Sequence, residues 1–363
     1  MKPHARLTIT KSLLSVGLTA TLALSTGCAK SEDDPTESKG SASGATQDSG
    51  QKVAESSSGE KCGIEAYGGR KLDLKGATVG FSQSEKEANP FRIAETASIK
   101  AEAGKRSVKL LTANAQSQFS KQISDVQDLI AKGADLLVIA PLNSDGWGPV
   151  LQQASAKKIP IVTIDRKINA EPCKDYISFI GSDFTEQGKR AADQMIDATG
   201  GKGEIAILLG APGNNVTTER TKGFKDRMAE KAPDLKVVFE QTGEFAREKG
   251  QSVTEQLIQS KPGITGIYAE NDEMGLGAVN ALKGAGKKAG AVKIVTIDGT
   301  RNAVQGIVDG WIHGVVESNP RFGPLAFQTL DSFTKGEEVG ENIVIQDSEY
   351  TQGNAKGDLG KAY

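Results

Sequence analysis

LLVIAPLNSDGWGPVLQQASAKKIPIVTID, residues 136–165, is the stretch whose reading decides the fold class. Two mainly apolar runs, 136–141 and 159–165, the second ending in Asp165, flank a segment in which Trp147, Val150, Leu151 and Ala154 return to one helical face. Runs without polar alternation suit parallel strands covered on both sides, so the stretch predicts one strand–helix–strand unit. The same alternation extends in both directions. Further apolar runs lie at 78–82, 108–112, 177–181, 205–210, 235–239, 264–270, 294–298 and 315–318. Helical faces lie between them: Phe119, Ile123, Val126 and Ile130 form one, and Met274, Ala278, Ala281 and Leu282 another. Successive units of this kind build parallel sheets through right-handed crossovers. They are too many for one compact open sheet, so we expect two sheets, with a closed eight-fold barrel as the other architecture.

The chain ahead of this region has a different character. Lys2, Arg6 and Lys11 form a positive region ahead of an apolar stretch at 13–24, followed by Ser25, Thr26, Gly27 and Cys28. The stretch is too short for a membrane-spanning helix and reads as an export signal over residues 1–27. It resembles the signal of a bacterial lipoprotein, which implies acylation of Cys28, although Leu24 stands four residues before the cysteine rather than three. Residues 28–60 are mostly Ser, Gly, Ala, Gln and Glu after an acidic start, with Val53 almost the only sizeable apolar side chain. Such a segment cannot bury enough surface to offset its ordering entropy, and we expect a flexible tether. The formal net charge of −2 builds no field for nucleic acid. With Cys28 lipidated, Cys62 and Cys173 remain as a pair in an oxidising compartment. A disulfide is expected, the alternative being two separate thiols.

In parallel sheets the loops after the strand C-termini form the ligand crevice. Beyond the first run these loops hold Asn89, Phe91 and Arg92, and after the fourth Asp165 and Arg166. Later positions supply Arg220, Phe245, Asn271 and Asp298, and Glu317 closes the last run. Carboxylates accept hydrogen bonds, guanidinium groups donate in a fixed fork, and Asn does both. Phenyl rings add apolar contact without using hydrogen-bonding capacity, so the set suits the hydroxyls and C–H faces of a sugar. Asp272 reads as a helix N-cap. Enzyme chemistry finds no comparable set. His4 lies in the signal, His313 stands beside no nucleophile or metal-ligand motif, and Gly210-Ala211-Pro212-Gly213 lacks the Lys-Ser/Thr of a phosphate loop. No catalytic residue, metal or cofactor is expected.

Six segments then carry a specific resemblance. They are Val79-Gly80-Phe81-Ser82-Gln83, Gly146-Trp147-Gly148-Pro149, Ile164-Asp165-Arg166, Glu219-Arg220-Thr221-Lys222-Gly223-Phe224, Tyr268-Ala269-Glu270-Asn271-Asp272 and Thr296-Ile297-Asp298-Gly299. In this order, over about residues 77–335, they resemble the sugar-binding proteins of ABC transporters, within the ribose-type group and nearest its galactofuranose branch. The resemblance implies a type I periplasmic-binding-protein fold, with two Rossmann-like lobes of parallel sheet joined by a three-segment hinge. It assigns 61–182 and 319–343 to the N-terminal lobe, and 183–317 and 344–363 to the C-terminal lobe.

By the same resemblance Asn89, Phe91, Arg92, Asp165 and Arg166 bind sugar from the first lobe. Arg220, Phe245, Asn271 and Asp298 bind it from the second, with Glu317 at the hinge. Asn89-Pro90-Phe91 looks like the ribose pattern and Arg92 like the galactofuranose one, while the loop 84–88 is one residue longer. A galactofuranose-like ligand is favoured, with a pentose such as ribose or arabinose behind it. The implied protein is an exported, lipid-anchored monomer on the outer face of the cytoplasmic membrane, with an ABC permease as partner. A sugar-responsive transcriptional regulator would need a helix-turn-helix where the signal and tether lie. A sugar-sensing receptor for a membrane signalling protein stays as the alternative.

Overall fold

Each apolar run predicted as a strand is one. The computed structural model describes residues 51–54 and 59–363; the signal, Cys28 and the tether up to residue 50 lie outside the described residues. A two-residue strand β1 (Lys61–Cys62) and a short helix α1 (Ile64–Tyr67) lead in. The first lobe follows as β2 (Thr78–Gln83), α2 (Pro90–Lys105), β3 (Lys109–Asn114), α3 (Phe119–Ala131), β4 (Leu136–Ile139), α4 (Gly148–Ala156), β5 (Ile161–Ile164) and β6 (Ser178–Ser182). The second lobe takes α5 (Phe184–Thr199), β7 (Gly203–Leu209), α6 (Asn215–Lys231), β8 (Leu235–Thr242) and α7 (Arg247–Ser260). It continues through β9 (Gly266–Ala269), α8 (Asp272–Gly284), β10 (Lys293–Asp298), α9 (Arg301–Val308) and β11 (Gly314–Glu317). The chain ends with α10 (Gly323–Lys335), β12 (Val339–Gly340), β13 (Asn342–Ile345), β14 (Glu349–Thr351) and α11 (Ala355–Asp358).

Two open six-stranded sheets result, ordered β13-β6-β5-β4-β2-β3 and β14-β11-β10-β9-β7-β8. The barrel alternative is thereby excluded. Within them every pairing is parallel except that of β14 with β11. β4 and β5, the strands of the decisive stretch, are buried at every residue, as strands covered by helices on both faces must be. The helical faces read from the sequence cover them, and Phe119 meets Trp147 edge-on at 5.4 Å between ring centroids.

The chain passes between the lobes three times: after β6, after β11 and after β13. The last crossing corrects the expected boundary. β13 pairs with β6 through Ile345, so the first lobe extends to residue 345 rather than 343. The tether is corrected as well. Residues 51–54 run antiparallel along the free edge of β13, with Val53 bridged to Ile345. Ala54 N–H donates to Val344 O and Gln346 N–H to Lys52 O, both at 2.8 Å. Backbone hydrogen bonds cover this edge without needing apolar side chains. Cys62 and Cys173 are joined by a disulfide that fastens β1 to the loop between β5 and β6. Among the described residues no helix is long and apolar enough to cross a membrane.

Candidate functional site

β2 delivers the chain at Gln83 to a loop that turns into α2. Asn89 caps that helix, its Oδ1 accepting the Phe91 N–H at 2.9 Å, and Pro90 fills the first helical position. The first turn thus aims Phe91 and Arg92 at the space beyond the strand ends. Arg92 is buried among carboxylates. Its Nε donates to Glu85 (2.8 Å) and its Nη1 to Glu95 (2.9 Å) and Asp165 (2.7 Å). Arg166 reaches the same Glu85 from the end of β5, donating from Nη2 at 2.8 Å. Burial pushes the Glu85 carboxyl up, but the guanidinium groups of Arg166 and Arg92 outweigh it and hold it at about 2. Glu95 lies deeper. Burial lifts it to about 7, with Arg92 opposing and the Asp165 charge assisting.

The second wall comes from the matching ends of β7, β9 and β10. Arg220, on α6, donates from Nε to Gln187 Oε1 (2.9 Å) and from Nη1 to the Glu270 carbonyl (2.5 Å). Its Nη2 lies 3.7 Å from Asp298 Oδ1. Glu270 accepts the Gly210 N–H (2.7 Å) and the Thr221 hydroxyl, which ties β9 to the loop after β7. Gly210 has to be glycine: a Cβ there would stand 2.1 Å from the Phe245 ring. Asn271 caps α8 through the Met274 N–H (3.0 Å) and donates to the Phe245 carbonyl (3.2 Å). Asp272 is therefore not the cap. Its carboxylate instead accepts Gly299 N–H (2.9 Å), Thr300 N–H (2.7 Å) and the Thr300 hydroxyl (2.8 Å), holding the loop that presents Asp298.

Three non-glycine residues of these walls have positive φ: Asp165 (64°), Phe245 (59°) and Asp298 (146°). Such conformations cost on the order of 1–3 kcal/mol each and persist where surrounding bonds impose them. Here the Asp272 bonds impose that of Asp298.

The two walls face each other across about 320 Å³ of empty space, part of it continuous with solvent. Asn89, Phe91, Arg92, Asp165, Arg166, Arg220, Phe245, Asn271 and Asp298 all line it, together with Glu85 and Val216. Glu317 does not. Its carboxylate turns to the Ser348 N–H at 2.9 Å, fastening the end of β11 to the third crossover. At the mouth of the cleft the lobes touch, with Ser144 N–H donating to Gly213 O and Lys167 N–H to Asn215 Oδ1, both at 2.9 Å. Arg166 Nε, buried in this cleft, has no hydrogen-bond partner among the described residues.

Sequence reading missed Glu85, whose loop departs in length from the expected pattern, and Tyr363. Tyr363 donates from its hydroxyl to Ser318 O (3.3 Å) and packs edge-on against Phe91 with centroids 6.2 Å apart. It thereby backs one wall of the cleft from the far end of the chain.

Several buried carboxyls set a pH dependence. Burial raises Glu95, Glu270 and Asp347 each to about 7, and Asp272 to about 6. Unfolded, these groups release their protons near pH 4–4.5. Between about pH 5 and 7 the folded chain therefore binds more protons than the unfolded one. Stability falls as pH rises, by about 1.4 kcal/mol per unit for each extra proton. Glu85 acts in the opposite sense, and only below the unfolded carboxylate range. The urea midpoint without ligand should be higher at about pH 5.5 than at about pH 7.5; a flat or rising midpoint would contradict this account.

Comparison with known proteins follows the same lines. The family model described as a periplasmic binding protein domain matches residues 79–338. The galactofuranose-binding protein YtfQ of Escherichia coli (strain K12) is 34% identical over 290 residues, covering 78% of this chain and 91% of that protein. The ribose import binding protein RbsB of Bacillus subtilis (strain 168) is 37% identical over 267 residues, covering 73% and 84% respectively. Among solved structures, the periplasmic binding protein component of the arabinose ABC transporter from Shewanella sp. ANA-3, bound to α- and β-L-arabinofuranose, is similar with a TM-score of 0.75. Its identity is 37%, covering 78% of this chain and 95% of that one.

Proposed function

Because the chain belongs to the periplasmic binding protein family, we propose that it is an exported sugar-binding protein that closes two lobes over a monosaccharide and delivers it to an ABC importer. The observation that carries this reading is the cleft itself. Arg92, Arg166 and Arg220 alternate there with Asp165 and Asp298, and Phe91 and Phe245 stand in its two walls. Alternating donors and acceptors suit vicinal hydroxyls, and the rings suit C–H faces. Arg166 Nε, which makes no hydrogen bond among the described residues and lies 3.7 Å from Asp165 Oδ2, supports the reading as a further donor for the ligand. A furanose is favoured, galactofuranose-like first, because a relative is named for galactofuranose and a similar solved structure is bound to L-arabinofuranose. Similarity to ribose import proteins keeps a pentose as the second candidate. The mechanism is lobe closure about the three crossovers: sugar stabilises the closed arrangement by the contacts it makes only there.

Calorimetric titration with D-galactose, L-arabinose and D-ribose tests this. Asp298→Ala removes charge-assisted hydrogen bonds of about 1.5–3 kcal/mol, roughly a ten- to hundredfold loss in affinity. Unchanged affinity would remove Asp298 from the site. We also propose that Cys28 carries the lipid anchor, supported by the signal and the polar segment after it. A Cys28→Ser form should leave the membrane fraction, and retention to the same extent would refute the anchor.

A further inference from the structure

Gln187 sits on α5 just after the first crossover and is 1% exposed. A side chain placed there for packing alone would be apolar; this one spends every part of its amide. Oε1 accepts from Arg220 Nε at 2.9 Å. Nε2 donates to Asp347 Oδ2 at 2.7 Å and lies 3.3 Å from the Glu317 carbonyl. Asp347, in the third crossover, accepts in turn from Ser182 Oγ at 3.1 Å, where the first crossover begins. Glu317 ends β11, where the second begins. One buried amide therefore touches the cleft arginine and, directly or through Asp347, all three hinge segments. Arg220 does not need Gln187 to stay in place, since the Glu270 carbonyl already holds its Nη1.

We propose that Gln187 is a positioning residue that couples the grip of Arg220 on the ligand to the geometry of the three crossovers. Closing the hinge and seating the guanidinium then become one event. The proposal rests on the reading of the cleft as a sugar site. Buried polar groups left without partners are unfavourable, so Arg220 and Asp347 cannot shift independently while the amide bonds both. A local role and a coupling role differ in one respect: only coupling makes a hinge substitution felt in the cleft through Gln187.

A double-mutant cycle in the full-length protein separates them. The probe is whichever of D-galactose, L-arabinose and D-ribose binds the wild type most tightly. Gln187→Met should weaken binding about tenfold, chiefly through faster dissociation. Asp347→Ala, outside the cleft lining, should weaken it several-fold in the wild type but add nothing in the Gln187→Met background. Asp347→Asn, which keeps an acceptor for the amide, should restore most of the affinity and serves also if the alanine variant folds poorly. Unchanged affinity in Gln187→Met, or additive losses in the cycle, overturns the coupling while leaving the sugar site standing. A wild type that binds none of the three sugars removes the sugar reading itself, and the proposal with it.

Discussion

Replacing Cys62 and Cys173 together by serine is expected to lower the melting midpoint by roughly 10 °C. The two cysteines are separated by 111 residues, and the disulfide closes a loop that takes in most of the first lobe. For a loop of that length the chain-entropy argument gives about 4–5 kcal/mol, acting mainly through the unfolded state. Apart from the packing of Ile64, Tyr67 and Leu72 on the first-lobe core, the segment it fastens is held by few bonds. β1 pairs over two residues with β12, and Tyr67 on α1 contributes a hydroxyl bond to Ile159 O (3.1 Å) and an edge contact with Phe333. Scanning calorimetry of the variant beside the wild type measures the effect. A shift below about 2 °C would mean that the bridge constrains little, and thiol alkylation of the untreated protein checks that the bridge forms.

The second large effect belongs to Arg92. Arg92→Met leaves Glu85 with Arg166 alone, and Glu95 and Asp165 facing each other with no cation between them. Removing one partner of a buried ion-pair cluster costs about 3–5 kcal/mol, because the remaining charge stays desolvated. Sugar affinity should fall more than about a hundredfold, since the variant loses a donor and disturbs the three carboxylates it bonds. Adding Glu95→Gln removes the uncompensated charge, so the double variant should regain a good part of the stability and little of the affinity. If both quantities recover together, Arg92 serves the fold and not the ligand.

What the sequence made legible follows from what leaves a local mark. Unbroken apolar runs mark buried parallel strands, and residues just past their C-termini mark the crevice. For that reason Asp165, Arg166, Asn271 and Asp298 could be named from position alone, and the structure brings them into one cavity with Arg92 and Arg220. Glu317 stood at a strand end too, yet its carboxylate serves the third crossover, because β11 ends at the hinge and not at the cleft. Gln187 and Asp347 left no mark. One is a polar residue inside a helix and the other follows a four-residue strand, and only the tertiary fold sets them 2.7 Å apart. Residues 51–54 were hidden for a different reason: their attachment is backbone bonding, which composition does not record.

The threefold passage between lobes also bears on the order in which the molecule can be assembled. No continuous stretch of the chain spells a whole lobe. β13, the strand that completes the first sheet beside β6, comes after all of α5 through β11. A truncated product ending anywhere from α5 to β11 lacks that strand and leaves the edge of β6 unpaired, an invitation to association with other chains. The pairing of β6 with β13 is also among the most distant in sequence, and contacts of that kind slow folding. A ribosome that has made the entire second sheet but β14 has only then reached the strand that finishes the first.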